Sequence, residues 1–195
     1  MSPGPRAGGY RIEPACAADI PALPAIERAA TSLFAPGQLP ESVRTDVTPT
    51  RDLQAALDAG LLWIARGADG EVVGFALVDL LAGGPHLEEI DVHPSHGRRG
   101  VGRAMVEAVL RWAGAEGHHA VTLTTFRDVR WNAPFYERLG FRALAPSELT
   151  AELAAIVEDE TGRGLARDRR VVMRCDLRLS SLGSDASISK EEKRP

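Results

Sequence analysis

The stretch Gly97-Arg98-Arg99-Gly100-Val101-Gly102-Arg103 constrains the fold more than any other, because it joins an apolar strand pattern directly to an amphipathic helix. Leu87 to Val92 reads as the strand, closed off by His93-Pro94. Val101 to about Ala115 reads as the helix, with Val101, Met105, Val109 and Trp112 on one side and Val106, Leu110 and Ala113 beside them. An apolar face that wide packs on a sheet. The first N–H groups of a helix have no partner inside it and carry the positive end of its dipole, so they hold phosphate well. Gly100 and Gly102 remove side chains that would keep a diphosphate off that backbone, and Arg98, Arg99 and Arg103 add mobile positive charge at its rim. The junction reads as a seat for the pyrophosphate of a cofactor.

A dinucleotide fingerprint wants a third glycine where this chain has Met105, and an acidic residue near the strand Val121-Thr122-Leu123-Thr124-Thr125, which has none. A P-loop needs Gly-Lys followed by Ser or Thr, and the chain has no such sequence. Val92-His93-Pro94 followed by Gly97 to Arg103 at a helix start instead resembles the acetyl-CoA loop of the GNAT superfamily of N-acetyltransferases. Trp131-Asn132-Ala133-Pro134-Phe135-Tyr136-Glu137-Arg138-Leu139-Gly140-Phe141 is similar to the family's short helix ending Phe-Tyr-x-x-x-Gly-Phe, one helix and one strand after the loop. Tyr10 to Pro14 and Asp19 to Leu23 are similar to its first strand and helix, so the resemblance runs from about Tyr10 to Leu177.

The resemblance implies acetyl-CoA as co-substrate, no metal, and a mixed α/β fold. That fold is a mostly antiparallel, twisted sheet of about seven strands with helices on both faces and a splayed strand pair holding acyl-CoA. It implies that the backbone of Ile90, Asp91 and Val92 pairs with the pantetheine arm, and that Tyr136 protonates the departing thiolate. Two positions depart from the family pattern. Gly97 stands where the loop often begins with Gln or Arg, and Val129 stands where an asparagine often precedes the tyrosine. Asn132 lies about one turn closer, and stands between a cofactor contact and a side-chain cap of the short helix.

At 195 residues, 26% charged and 44% hydrophobic, the chain suits one globular domain. We expect a flexible leader over residues 1–9, the folded domain over 10–179 and a disordered tail over 180–195. The net charge of −4 argues against nucleic acid as a partner. No apolar run approaches bilayer-spanning length, so no membrane partner is expected. Cys16 and Cys175 form no metal or redox spacing, which points to a reducing cytoplasm. The oligomeric state stays open between a monomer and a homodimer joined through a sheet edge or the last strand.

Ile20, Leu23, Ile26, Ala30 and Leu33 recur at helical spacing, with Asp19 as a cap. Thr50 to Ala59 gives a second helix stopped by Gly60, and Leu61 to Arg66 and Glu71 to Leu81 form a hairpin around Asp69-Gly70. Gly83-Gly84-Pro85 breaks the chain before Leu87. A strand over Ala120 to Phe126, a strand from Phe141, a helix over about Ser147 to Thr161 and a last strand over Arg169 to Leu177 complete the pattern. The run from Arg163 to Arg170 reads as a solvated turn, and His93 and His96 as loop residues without a third ligand.

Acetyl transfer to an amine needs the amine neutral, the oxyanion stabilised and the thiolate protonated. Glu88 and Glu89 lie on the strand lining the cleft; adjacent strand residues point to opposite faces, so one at most faces the acceptor, and Glu88 is the first choice as base. The acceptor pocket is expected over Glu27 to Thr50. A GNAT-like acyl-CoA-binding sensor or scaffold is the alternative to an enzyme.

Overall fold

In the computed structural model, which describes residues 6–177, eight strands form one sheet with helices packed on both of its faces. The strands are β1 (Arg6–Ala7), β2 (Tyr10–Pro14), β3 (Leu62–Arg66), β4 (Val72–Leu81), β5 (Gly84–Val92), β6 (Ala120–Phe126), β7 (Arg142–Ala143) and β8 (Arg170–Asp176). Their spatial order is β1-β2-β3-β4-β5-β6-β8-β7, antiparallel throughout except for β5 and β6. The helices are α1 (Leu23–Thr31), α2 (Glu41–Thr45), α3 (Thr50–Asp58), α4 (Val101–Ala115), α5 (Ala133–Glu137) and α6 (Ala151–Gly162). The core lies between α4 and the sheet on one face, through Met105, Val109, Ala113 and Val121, and between α1, α3 and the sheet on the other, through Leu23, Ile26, Leu53 and Phe75.

Local chemistry sets several boundaries differently from the sequence pattern. Within the span expected as a leader, β1 pairs with β2 across Gly8 and Gly9, both at positive φ, while residues 1–5 and the tail expected over 180–195 lie outside the described residues. Asp19 caps no helix. Its carboxylate accepts from the Cys16 backbone N–H at 2.9 Å and pairs with Arg66 at 2.8 Å, tying the turn before α1 to β3. Gly83-Gly84-Pro85 does not separate the strands but turns them, since Leu81 already pairs with Gly84. The helix expected from Ser147 starts later, at Ala151, because the Thr150 side chain accepts from Leu153 N and so fixes the N-cap there. The strand expected from Phe141 shrinks to Arg142–Ala143. In β8, Val171, Met173 and Cys175 are buried on one face as the alternation requires, and Val172 is buried on the other because Leu153 and Val157 of α6 cover it.

Candidate active site

β5 and β6 pair only at His86↔Thr122 and Leu87↔Leu123. Beyond these pairs β5 runs on to Val92 and β6 to Phe126, each still held on its outer side, by β4 and β8. Each strand therefore offers a free backbone edge to the gap, at Ile90 to Val92 on one side and Thr124 to Phe126 on the other. The Thr124 hydroxyl is buried there without a partner. The gap opens into a cleft of ≈ 1960 Å³, well beyond the few hundred Å³ typical of a single small ligand, and so wide enough for two substrates.

The glycine-rich loop closes one end of this cleft. α4 makes its first backbone bond from Ala104 N to Gly100 O, and the N–H groups from Arg98 to Arg103 donate to no carbonyl among the described residues. Gly100 adopts φ 82° as the N-cap, a left-handed conformation that a side chain resists. Arg98 adopts φ 57° and makes no hydrogen bond or ion pair among the described residues. The other two arginines have partners. Arg103 pairs with Glu107 at 2.7 Å, and Arg99 donates to the Tyr10 hydroxyl at 3.0 Å.

The opposite end is acidic. The β4–β5 register shifts at Leu77, which faces Glu89 while Val78 faces Leu87, so Glu88 is the extra residue of a bulge. A bulge breaks strict alternation. Glu88 and Glu89 both line the cleft, contrary to the expectation that one of them would point away. Past the bulge, Phe75 pairs with Asp91 and Leu77 with Glu89, which puts these carboxyls on the face turned away from α4 and towards Glu27 of α1. Burial, then the charges of Glu27 and Glu88, push the Glu89 carboxyl up to about 8. Burial, then Glu89 and Glu27, raise Asp91 well above the usual carboxylate range. Burial also raises Glu27, although its carboxylate accepts from Thr48 N and Thr48 Oγ1 and so ties α1 to the chain entering α3.

Residues 27–141, more than half of the chain, match the acetyltransferase (GNAT) family. The chain belongs to this family. Among curated relatives, it is 32% identical over 95 residues to the mycothiol acetyltransferase of Clavibacter sepedonicus, 49% of this chain and 31% of that protein. It spans about a third or less of the length of the curated relatives it matches. Among solved structures, the ribosomal-protein-S18-alanine N-acetyltransferase from Escherichia coli superposes with TM-score 0.61 at 18% identity, over 90% of this chain and 97% of that one. The PaiA N-acetyltransferase from Thermoplasma acidophilum, in complex with coenzyme A, gives 0.62 at 14% identity over 86% and 98%. The shared fold is the GNAT sheet with its parted central strands.

Within the GNAT cleft the structure gathers the residues that sequence singled out: Ile90, Asp91, Val92, Gly97, Arg98, Arg99, Gly100, Val101, Gly102, Arg103, Asn132, Tyr136, Glu88 and Glu89 all line it. Tyr136 stands on α5 with its ring edge-on to Phe135 and Phe141, and its hydroxyl makes no hydrogen bond among the described residues. Burial, then Glu89 and Asp91, push its pKa upward, so the phenol keeps its proton. Asn132 is the N-cap residue of α5, but its side chain makes no capping bond; its backbone carbonyl receives Phe135 N and Tyr136 N instead. The run from Arg163 to Arg170 is solvated over Arg163, Gly164 and Ala166 to Asp168, but not at its end. Arg170 is a buried wall of the cleft, bidentate to Glu160 and 4.6 Å above the Phe126 ring, and Arg163 pairs with Asp46 at 2.8 Å. The sequence reading missed the carboxyl of Asp91 as a group of the acidic end, Arg170 as a wall of the cleft, and Tyr10 as a partner of Arg99 and His96. The i, i+2 spacing of Glu89 and Asp91 was the available signal.

Proposed function

We propose that this protein transfers an acetyl group from acetyl-CoA to a primary amine by direct attack of the amine on the thioester. The observation that carries this reading is that the unpaired N–H groups from Arg98 to Arg103 and the unpartnered hydroxyl of Tyr136 open onto one cleft between parted strands. The N–H groups take the diphosphate. The free edge of β5 from Ile90 to Val92 takes the pantetheine arm, and one of its N–H groups faces the developing oxyanion. The carboxyls of Glu27, Glu89 and Asp91 attract an ammonium ion, and Glu89, with its raised pKa, removes the proton that leaves the nitrogen lone pair free. The nitrogen bonds to the carbonyl carbon, the tetrahedral intermediate collapses with cleavage of the carbon–sulfur bond, and Tyr136 gives its proton to the sulfur. Burial and Asp79 raise the Glu88 carboxyl as well, but Glu89 is preferred because its pKa is pushed up to about 8, its charge acts on Tyr136 and its side chain is half-buried, whereas Glu88 is exposed.

Neither cysteine lines the cleft, which supports attack without an acyl-enzyme. Both cysteines are free, which supports a reducing cytoplasm as the compartment. The segment expected to shape the acceptor pocket does line the cleft, through Glu27, Leu33, Phe34, Asp46 and Thr48, and Phe34 stacks on Phe126 and Trp131 at its mouth. The matched segments of the mycothiol acetyltransferases are too small a part of those proteins to carry their acceptor over, so the acceptor is proposed as a class. Calorimetry with CoA and acetyl-CoA, followed by an amine library read out by release of free CoA, tests the whole reading. We expect micromolar-range binding and turnover with a subset of amines. Absence of CoA binding by folded protein overturns the proposal. Tight binding with no transfer to any amine replaces the enzyme with a CoA-binding module.

A further inference from the structure

The phosphate loop is fastened by a residue from the far end of the sequence. Tyr10, the first residue of β2, is buried, with 6% of its surface exposed. Its hydroxyl accepts from Arg99 Nη1 at 3.0 Å and lies 2.9 Å from His96 Nδ1. A guanidinium only donates, so the hydroxyl accepts from Arg99; towards His96 Nδ1 it gives or accepts a proton according to the imidazole tautomer, and Nε2 of that ring faces Glu71 Oε1 at 3.7 Å. The two ring planes meet edge-on, 5.7 Å apart. One hydroxyl thus grips the loop on both sides of Gly97-Arg98, where the backbone enters its left-handed turn at Arg98. The hairpin before Tyr10 lies against the same loop, since a Cβ added at Gly8 would sit 3.8 Å from Arg99 O.

A row of N–H groups all facing one way is a row of like dipole ends, and without a ligand such a loop needs an external brace to keep its shape. We propose that Tyr10 is a positioning residue for acetyl-CoA: through Arg99 and His96 it holds the loop in the form that receives the diphosphate. The inference rests on the proposed donor site and adds a residue to it. Ordering the loop before binding lowers the entropy lost when the ligand arrives. The bond to Tyr10 also aims the Arg99 guanidinium while leaving several of its donors for phosphate oxygens.

Tyr10→Phe removes the hydroxyl and keeps the ring. We expect the dissociation constants of CoA and acetyl-CoA to rise about tenfold, the loss of one hydrogen bond to a charged group. S-acetylpantetheine, which has the thioester arm but no diphosphate, should bind the variant and the unaltered protein equally in a competition assay. Amide hydrogen exchange at His96 and Gly97, whose N–H groups donate to His93 O and Pro94 O, should quicken in the ligand-free variant, and this measurement stands even if the variant melts early. Unchanged CoA affinity overturns the proposal, and so does an equal loss for CoA and S-acetylpantetheine, which would mark Tyr10 as packing alone. If the unaltered protein binds CoA and the variant behaves identically, only this inference fails. If the unaltered protein binds no CoA, the donor site fails with it.

Discussion

In the proposed mechanism, Glu89 is the one side chain that sets both rate and pH dependence. It shares a face with Asp91 and looks towards Glu27, so each charge there opposes the others, and its pKa is pushed up to about 8. A base works only when deprotonated, so the rate should climb with pH through about 8 in the unaltered protein, and at lower pH in Glu88→Gln, which keeps the limb but removes one of the charges that raise Glu89. Glu89→Gln should lose that limb together with about a hundredfold or more of kcat. If Glu88→Gln loses the limb instead, the base is Glu88. Tyr136 belongs to the same scale. Tyr136→Phe keeps the packing on Phe135 and Phe141 but has no proton to give, so acetyl-CoA affinity should survive while turnover drops about a hundredfold. Turnover equal to that of the unaltered protein would remove Tyr136 from the chemistry.

β5 does most of the positioning. Its bulge at Glu88 turns the carboxyls inward, its short pairing with β6 leaves the gap, and its far edge is held by β4. That hold depends on one glycine. A Cβ at Gly74 would stand 2.6 Å from Asp91 O and 3.2 Å from Met105 Cε, and the first of these is backbone that cannot step aside without moving β5. Gly74→Ala should therefore lower stability by about 1–3 kcal/mol and shift the edge that faces the thioester. A thermal melt checks the first effect and CoA calorimetry the second. A melting temperature equal to that of the unaltered protein would mean that β4 and β5 have slack the packing does not show.

Across the molecule, two sets of buried groups bend stability against pH in opposite directions. His86 is 1% exposed at the root of the strand gap, with Nδ1 2.9 Å from Thr122 Oγ1, and burial lowers its pKa from 6.5 to about 4. The unfolded chain binds more protons than the folded one between those values, so stability is present above pH 6.5 and is lost as pH falls towards 4, by on the order of 3 kcal/mol. The cleft carboxyls act the other way. Their raised folded pKa values mean that the folded chain holds more protons, so stability is full below the usual carboxylate range and falls as pH rises towards 8. Since Glu89 and Asp91 together outweigh the single imidazole, melting temperature should fall as pH rises from about 5 to about 8. Glu89→Gln should flatten the alkaline side, gaining stability at pH 8 while losing activity; a variant that melts lower at pH 8 would contradict this assignment of the strain.

The strand, the loop with its φ-positive glycine, α4 and the Phe-Tyr helix were legible along the chain, because each is written in neighbouring residues: an apolar period, glycines at a helix start, a proline in a first turn. The local signals pointed to the loop backbone as a phosphate seat, and the resemblance to the GNAT family added the backbone of Ile90 to Val92 and the Tyr136 hydroxyl. Local signals failed wherever a partner from elsewhere decided the outcome. Strand alternation could not tell that Glu88 and Glu89 share the cleft, since the bulge exists only in the register between β4 and β5. Charge density made the Arg163 to Arg170 run look solvated, but Glu160 and Phe126 draw Arg170 into the wall of the cleft. Tyr10 reads as one more strand residue until the sheet brings it beside His96 and Arg99, 86 and 89 positions away. Periodicity and turn chemistry act over a few bonds, so sequence carries them; pKa values, ion pairs and loop braces act through space, and only the folded chain sets those distances.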